Sequence, residues 1–342
     1  MKLYSNLEAT EENIAKTYEE DLLCRKESVD NFAKYLRSEF CPPSVAINGE
    51  WGSGKTFFVK QTARLLELEK FNDNNPQKIL TIYYGAWEND NNWDPILSII
   101  DCIARKAGNG DSSKLLELGK IALNIADALI GNPVLKGLKV LCESKILSES
   151  DINTNSSNDQ IKLKLKELYD EILNENADRL IIFIDELDRC KPDFSIKVLE
   201  RIKHYINIDE RVQVVFSINK NQLEHSVNKC YGSNFDSCNY LNRFFDLIFD
   251  LPEVDTSLYI FRNTGRNPDM DMLNLSGAAI CSVVDYFHIP LRDINKYLSA
   301  LDSVYERTRF SKNKDNDTYS FIFFTRLLPL ILAIKFVDKN KY

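Results

Sequence analysis

The sequence predicts a doubly wound α/β fold, a parallel sheet with helices on both faces, a helical insertion and a C-terminal helical appendage. Three observations predict it. Apolar runs at Val45–Ile47, Ile79–Tyr84, Leu180–Ile184 and Val212–Ile218 are separated by stretches of helical periodicity, the alternation expected when parallel strands are joined by crossover helices. Leu180–Ile184 (LIIFI) is apolar throughout, as a strand covered on both faces must be. The first run passes through glycines at 49, 52 and 54 into helix-forming sequence, giving strand, tight loop and helix in succession.

Taken in order, residues 1–40 read as a helical lead-in. Leu22, Leu23, Val29, Phe32, Ala33 and Leu36 recur at helical spacing among charged residues, and Pro42-Pro43 end the segment. The sheet-bearing core is expected over 41–255. After the first strand and loop, residues 57–70 continue as helix, Asn72–Gln77 is a turn cluster, and Ile79–Tyr84 is a strand rich in β-branched and aromatic residues.

A helical insertion is expected over 95–176. Asp94-Pro95 opens a helix through about Lys106, Gly108–Ser113 breaks it, and 114–147 supply one or two more, interrupted at Gly131-Asn132-Pro133. Glu149–Asp159 is polar and predicts a mobile loop. Ile161, Leu165, Leu168, Tyr169, Ile172 and Leu173 then restore a helical stripe. The third strand, Leu180–Ile184, ends in Asp185-Glu186. A helix over Phe194–Ile206, the strand Val212–Ile218 and a helix from Asn221 follow. Asn242–Phe249 leads into a last short strand ending at Pro252. Residues 256–342 carry helical patterns, no strand pattern, and a charged loop at Lys312–Asp317.

Composition excludes several function classes. A net charge of −8 supplies no global basic field for nucleic acid or anionic lipid. None of the eight cysteines forms a C-x-x-C pair or neighbours His204, His225 or His288 at ligand spacing, which argues against zinc. Scattered thiols with no leader pattern predict a cytoplasmic protein. Ile121–Leu141 is interrupted by Asp127, Pro133, Lys136 and Lys139, and Phe321–Val337 carries Arg326 and Lys335. Neither supplies the roughly 20 apolar residues of a transmembrane span.

The chemistry concentrates at Gly49-Glu50-Trp51-Gly52-Ser53-Gly54-Lys55-Thr56, a G-x-x-x-x-G-K-[ST] sequence between strand and helix. Glycines let the backbone turn with its N–H groups inward, making an anion-sized nest. The helix behind it adds unpaired N–H groups and the positive end of its dipole. Lys55 is the candidate contact to the terminal phosphates of a nucleotide, Thr56 a ligand of Mg2+, and Phe57 closes the binding stretch. The plain alternative is a Gly-rich turn before an ordinary helix.

Asp185 follows 130 residues after Lys55, at the carboxyl end of a buried strand, the edge where open α/β sheets bind ligands. Asp185 is the candidate holder of the magnesium water shell, and Glu186 the group to orient and deprotonate a water. The alternative is that both acids cap a turn. Asn219, after VVFSI, is placed either to reach the γ-phosphate or to form a turn, with Ser217 second for the same role. Positive charge on the transferring phosphoryl group has two candidates, Arg243 and Arg292. Each is also readable as a surface arginine whose stem packs on aromatic neighbours, a reading that Arg243 favours over the phosphoryl one. A kinase reading has only Asp188 to orient an acceptor.

These residues together resemble the KAP family of P-loop NTPases. The resemblance rests on GEWGSGKT, YYGAWEND, FIDELDRCKPD, VVFSIN and YLNRFFDLIFDLP and covers roughly residues 20–300. Trp51 within the loop, Gly85-Ala86-Trp87 and Leu187-Asp188-Arg189-Cys190 are its most specific parts. It implies a sheet in the order 5-1-4-3-2 and an ATPase site. Lys55 and Thr56 are then the phosphate and magnesium contacts, Asp185 the magnesium-water ligand and Glu186 the base. Where the family commonly has Asp, Glu186 stands here, the commoner base in the wider class. Asn219 replaces a common acid. Asp21-Leu22-Leu23-Cys24-Arg25 is similar to a box near the adenine in related ATPases, and Arg292 to a second sensor. The resemblance further implies a nucleotide-driven switch with a protein partner, a homo-oligomer formed on ATP, and a role in prokaryotic anti-phage defence. The alternative it leaves open is a regulatory or scaffold module that holds ATP with little turnover.

Overall fold

The computed structural model describes residues 8–68, 77–92, 94–108, 118–122, 125, 158–264, 271–308 and 322–337. Its sheet has five parallel strands: β1 (Ser44–Asn48), β2 (Ile79–Gly85), β3 (Arg179–Asp185), β4 (Val212–Ile218) and β5 (Leu247–Asp250). Their order is β2-β3-β4-β1-β5, the expected 5-1-4-3-2 read from the other edge. Every run that the sequence marks as a strand is one. In β3, Leu180–Ile184 are at most 1% exposed, which explains why no polar residue interrupts that run. Burying each such side chain stabilises the fold by about 1.5–3 kcal/mol.

Register places the chemistry. Asp185 pairs with Ser217, and Ser217 pairs with Ile47, so the carboxyl ends of β3, β4 and β1 lie in one row. Asn48, the last residue of β1, fastens this edge. Its side-chain amide donates to Asp250 Oδ1 at 2.9 Å, and its Oδ1 accepts from Lys220 N at 2.9 Å.

The residues cluster into two compact units. The first comprises 33–48 and 62–250 and contains the whole sheet. Pro95 opens α4 (Pro95–Gly108), whose Ile96, Ile99, Ile100 and Ile103 are fully buried in the sheet's core. Their i, i+3, i+4, i+7 spacing is one apolar face of a helix. Asp94, 3% exposed, accepts from Ile96 N and pairs with Arg201 at 3.0 Å and Lys197 at 3.4 Å. α5 (Asn158–Asn176) buries Ile161, Leu165, Leu168, Tyr169 and Ile172 in the same core. α6 (Pro192–Arg201) starts on a proline and ends in a π turn at Ile202–Ile206. α7 (Lys220–Tyr231) is capped by Asn219. The approach to β5 contains a short helix, α8 (Ser237–Leu241), capped by Asp236. Its five residues are too few to show a period, so sequence periodicity does not reveal it.

The second unit comprises the chain through residue 32, residues 49–61 and those from 251 on. α1 (Glu11–Glu20) and α2 (Lys26–Arg37, which runs on into the first unit) are joined by a turn in which Asp21 and Cys24 have positive φ. The expected lead-in helix is therefore broken at Asp21–Arg25. α3 (Lys55–Leu68) likewise begins in this unit. From residue 257 the described elements are helical: α9 (Ser257–Thr264), α10 (Asp271–Tyr286), α11 (Leu291–Thr308), a π turn at Phe323–Leu327 and α12 (Leu328–Val337). Their core includes Ile260, Ile280, Ile294, Tyr297, Leu298 and Leu301. Tyr297 Oη donates to Pro329 O at 2.7 Å.

The turn at 72–76, the polar stretch 149–157 and the charged loop 312–317 lie outside the described residues, as does most of 114–147. Among the described residues no helix is long and apolar enough to cross a membrane.

Candidate functional site

The loop after β1 is built by glycines where a side chain would be strained or crowded. Gly52 (φ +81°) and Gly54 (φ +93°) occupy the left-handed region, which a side chain disfavours. Gly49 has another reason. A Cβ there would lie 3.1 Å from Leu251 Cβ and from Ser53 Oγ. Ser53 closes the loop on itself, donating from its N (3.2 Å) and Oγ (2.7 Å) to Glu50 O. Lys55 is 9% exposed, and its Nζ donates to Gly49 O at 2.6 Å and Glu50 O at 3.1 Å. The ammonium is thus folded over the loop. Helix α3 starts at Lys55, so the N–H groups of Lys55, Thr56 and Phe57 belong to the first turn, which has no intrahelical acceptors. Thr56 and Phe57 are half-buried, while Glu50 and Trp51 are exposed.

Both arginines singled out for this half lie against the loop. Arg25 donates from Nη1 to Ser53 O at 2.7 Å and from Nη2 to Pro252 O at 2.5 Å. Arg292 meets it through its backbone. Its N–H donates to Gly52 O at 3.3 Å, and a Cβ on Gly52 would lie 3.2 Å from Arg292 Cβ. The turn before it contains His288 in the left-handed region (φ 47°) and Pro290.

At the end of β3, Asp185 is 2% exposed. Its Oδ2 accepts from Tyr83 Oη at 2.9 Å, and its Oδ1 accepts from Glu186 N at 2.9 Å. Ala86 N donates to the Asp185 carbonyl at 2.9 Å, binding the end of β2 to that of β3. Glu186 sits at φ 63°, ψ 23°, which costs a non-glycine residue about 1–2 kcal/mol. Its carboxylate is ion-paired with Arg189, and the Arg189 guanidinium lies 5.8 Å from the ring centroid of Trp87. Burial raises the Glu186 proton affinity. Arg189 opposes that shift, and Asp185, Glu88 and Asp188 add to it. Tyr83 is pushed above its ordinary range by burial and then by Asp185. Cys190, the last residue of the LDRC stretch, is driven up to about 12, chiefly by burial.

The remaining candidates are dispersed. Asn219 is buried at the end of β4, and its side chain accepts from Gln222 N at 3.3 Å, which caps α7. Ser217 is buried in register with Asp185. Arg243 is exposed between α8 and β5. Asp188 is 7% exposed, two residues after Glu186. Sequence reasoning missed Asn48 and Tyr83. A polar residue ending an apolar strand was the signal for Asn48. Tyr83 had only its position two residues before Gly85.

These are the parts of a nucleotide-binding loop and an acidic strand end on a 5-1-4-3-2 parallel sheet. The sequence matches the KAP family P-loop domain over residues 25–307. The chain belongs to the KAP family of P-loop NTPases. Membership makes it a nucleotide-binding P-loop fold. Among solved structures, a similar one is the Aeropyrum pernix ORC2 protein in its ADPNP–ADP complexes. That protein is 13% identical with a TM-score of 0.45, over 92% of this KAP chain and 68% of its own. No curated protein sequence matches.

Proposed function

We propose that this KAP protein binds ATP with Mg2+, hydrolyses it, and uses the nucleotide as a conformational switch. One observation carries the reading. Loop 49–56 leaves β1 at the row where Asp185 ends β3, with only β4 between the two strands. The donor set suits the ligand: a buried lysine and glycine-built backbone N–H groups for phosphate, a threonine hydroxyl and a buried carboxylate for a hydrated divalent cation. Magnesium, when bound, supplies positive charge to the phosphate oxygens.

The residues divide the work. Lys55 exchanges its bonds to Gly49 and Glu50 carbonyls for the terminal phosphates. Thr56 and Asp185 hold the cation and its waters, and Tyr83 keeps the Asp185 carboxylate oriented. Glu186 orients the attacking water and accepts its proton. Arg292, joined to the loop through Gly52, carries the loop's state into α11. An Arg243 or Arg292 side chain reaching the γ-phosphate, and an ATP-dependent oligomer in which one protomer serves another, belong to the same proposal, as does the anti-phage role.

A second reading is favoured by the ion pair of Glu186 with Arg189. A base held that way gives a module that binds ATP and turns it over little. Phosphate release separates the two. Hydrolysis predicts measurable release by wild type and almost none by Glu186→Gln, with ATP bound by both. If both proteins bind ATP and neither releases phosphate, the second reading stands. Phage plating on cells carrying wild type or Lys55→Ala tests the defence role. Equal plaque counts remove it.

A further inference from the structure

The loop after β1 is held from outside by a buried guanidinium whose environment is unusual. Asp21, itself at φ 41°, accepts from the N–H groups of Arg25 (2.7 Å) and Lys26 (2.9 Å). That pair of bonds starts α2 and fixes where the Arg25 side chain departs. The guanidinium then bonds two backbone carbonyls, of Ser53 at 2.7 Å and Pro252 at 2.5 Å. A Cβ on Gly54 would lie 3.0 Å from Nη1, so a side chain there would crowd the guanidinium as well as strain the positive φ.

Arg25 is 8% exposed, and its buried Nε has no hydrogen-bond partner among the described residues. Among the described residues it makes no ion pair. A buried charge with no acid beside it is costly, and burial draws its pKa down to about 10. A neutral donor would hold two carbonyls at less cost.

The peptide unit joining Ser53 to Gly54 is planar and trans, so its C=O and N–H point in opposite directions. Holding the Ser53 carbonyl on Arg25 turns the Gly54 N–H to the other side of the loop. That N–H immediately precedes Lys55, where α3 begins, and is one of the donors a phosphate nest has to present.

We propose that Arg25 is a positioning residue for the triphosphate. It fixes the Ser53–Gly54 peptide so that the Gly54 N–H faces phosphate, and its uncompensated charge strengthens the field there. Its partners are loop and linker carbonyls, which sets it apart from a base-reading role. The inference rests on the nucleotide-binding reading and deepens it.

Isothermal titration of the full chain with Mg·ATP and with magnesium tripolyphosphate tests it. The proteins are wild type, Arg25→Gln and Arg25→Lys, with melting temperatures measured alongside. Arg25→Gln is expected to weaken both ligands by the same factor, about tenfold or more. Arg25→Lys keeps the charge and one donor and recovers part of the loss at an unchanged melting temperature. Nitrogen-15 glycine labelling adds a direct signature, since the chain has 12 glycines. The Gly54 amide should shift on adding tripolyphosphate to wild type and stay in place in Arg25→Gln. Weakened ATP binding with tripolyphosphate unaffected would overturn the inference in favour of base recognition. Full affinity for both ligands in Arg25→Lys and Arg25→Gln would overturn it in favour of packing alone. If Arg25→Gln does not fold, Arg25→Lys decides by the same two outcomes. Wild type that binds neither ligand defeats the nucleotide reading itself, which separates the two failures.

Discussion

Arg25 and Arg189 hold two different regions by different chemistry. Arg25 is buried, bonds neutral backbone carbonyls and, among the described residues, has no acidic partner for its charge. Arg189 is about a quarter exposed, pairs directly with the Glu186 carboxylate and is backed by the face of Trp87. A guanidinium on carbonyls fixes backbone geometry and keeps its field for a ligand. A guanidinium on a carboxylate spends its field locally and can be displaced by a competing cation. The loop is therefore shaped in advance, while the acidic strand end is restrained and releasable.

The largest expected effect breaks the acidic side. Glu186→Gln should lower phosphate release by about 10²–10⁴-fold, the range for loss of a general base, with ATP affinity kept. Next comes Lys55→Ala on the loop side, where losing charged hydrogen bonds to phosphate should weaken ATP by about 10–150-fold by titration. Asp21→Ala sharpens the claim about Arg25. Losing the cap that starts α2 should cost about 1 kcal/mol by thermal unfolding, with a smaller loss of ATP affinity than Arg25→Gln. Smaller still, Arg189→Gln should raise phosphate release no more than about fivefold, because a partly exposed pair contributes about 1 kcal/mol or less. ATP affinity should not move. A fall in release would show that Arg189 aligns Glu186 instead of restraining it.

Thiol labelling compares the two regions without nucleotide. Cys24, beside Arg25, is exposed, whereas Cys190, below Glu186, is buried and its pKa is raised to about 12. At pH 8 only on the order of one Cys190 in 10,000 is thiolate. Iodoacetamide mapped by mass spectrometry should modify Cys24 and spare Cys190. Rapid labelling of Cys190 would mean that the strand end opens freely.

The fold was legible because its strands are uninterrupted apolar runs, and the loop because its motif is contiguous. Contacts between distant residues were not. Nothing in the spacing says that Arg189 rests on Trp87, or that Arg25 reaches Ser53, since both depend on how separate elements pack. The break at Asp21–Arg25 was hidden because Asp21 and Cys24 adopt left-handed conformations that sequence rarely announces. Asn219 was read evenly as a phosphate contact or a turn residue, and its bond to Gln222 N accounts for its local role. Neither the left-handed backbone of Glu186 nor its ion pair with Arg189 is legible in the sequence, because an acid after an apolar strand reads the same in either state.

The position of β1 bears on how the protein is made. Its neighbours are β4 and β5, with Val45 aligned to Val215 and to Leu247. A nascent chain emerging from the ribosome thus carries its phosphate-loop strand unpaired until β4 has been made, and without its second neighbour until β5 follows. Such long-separation pairing is slow, so the loop gains its full strand support late in folding.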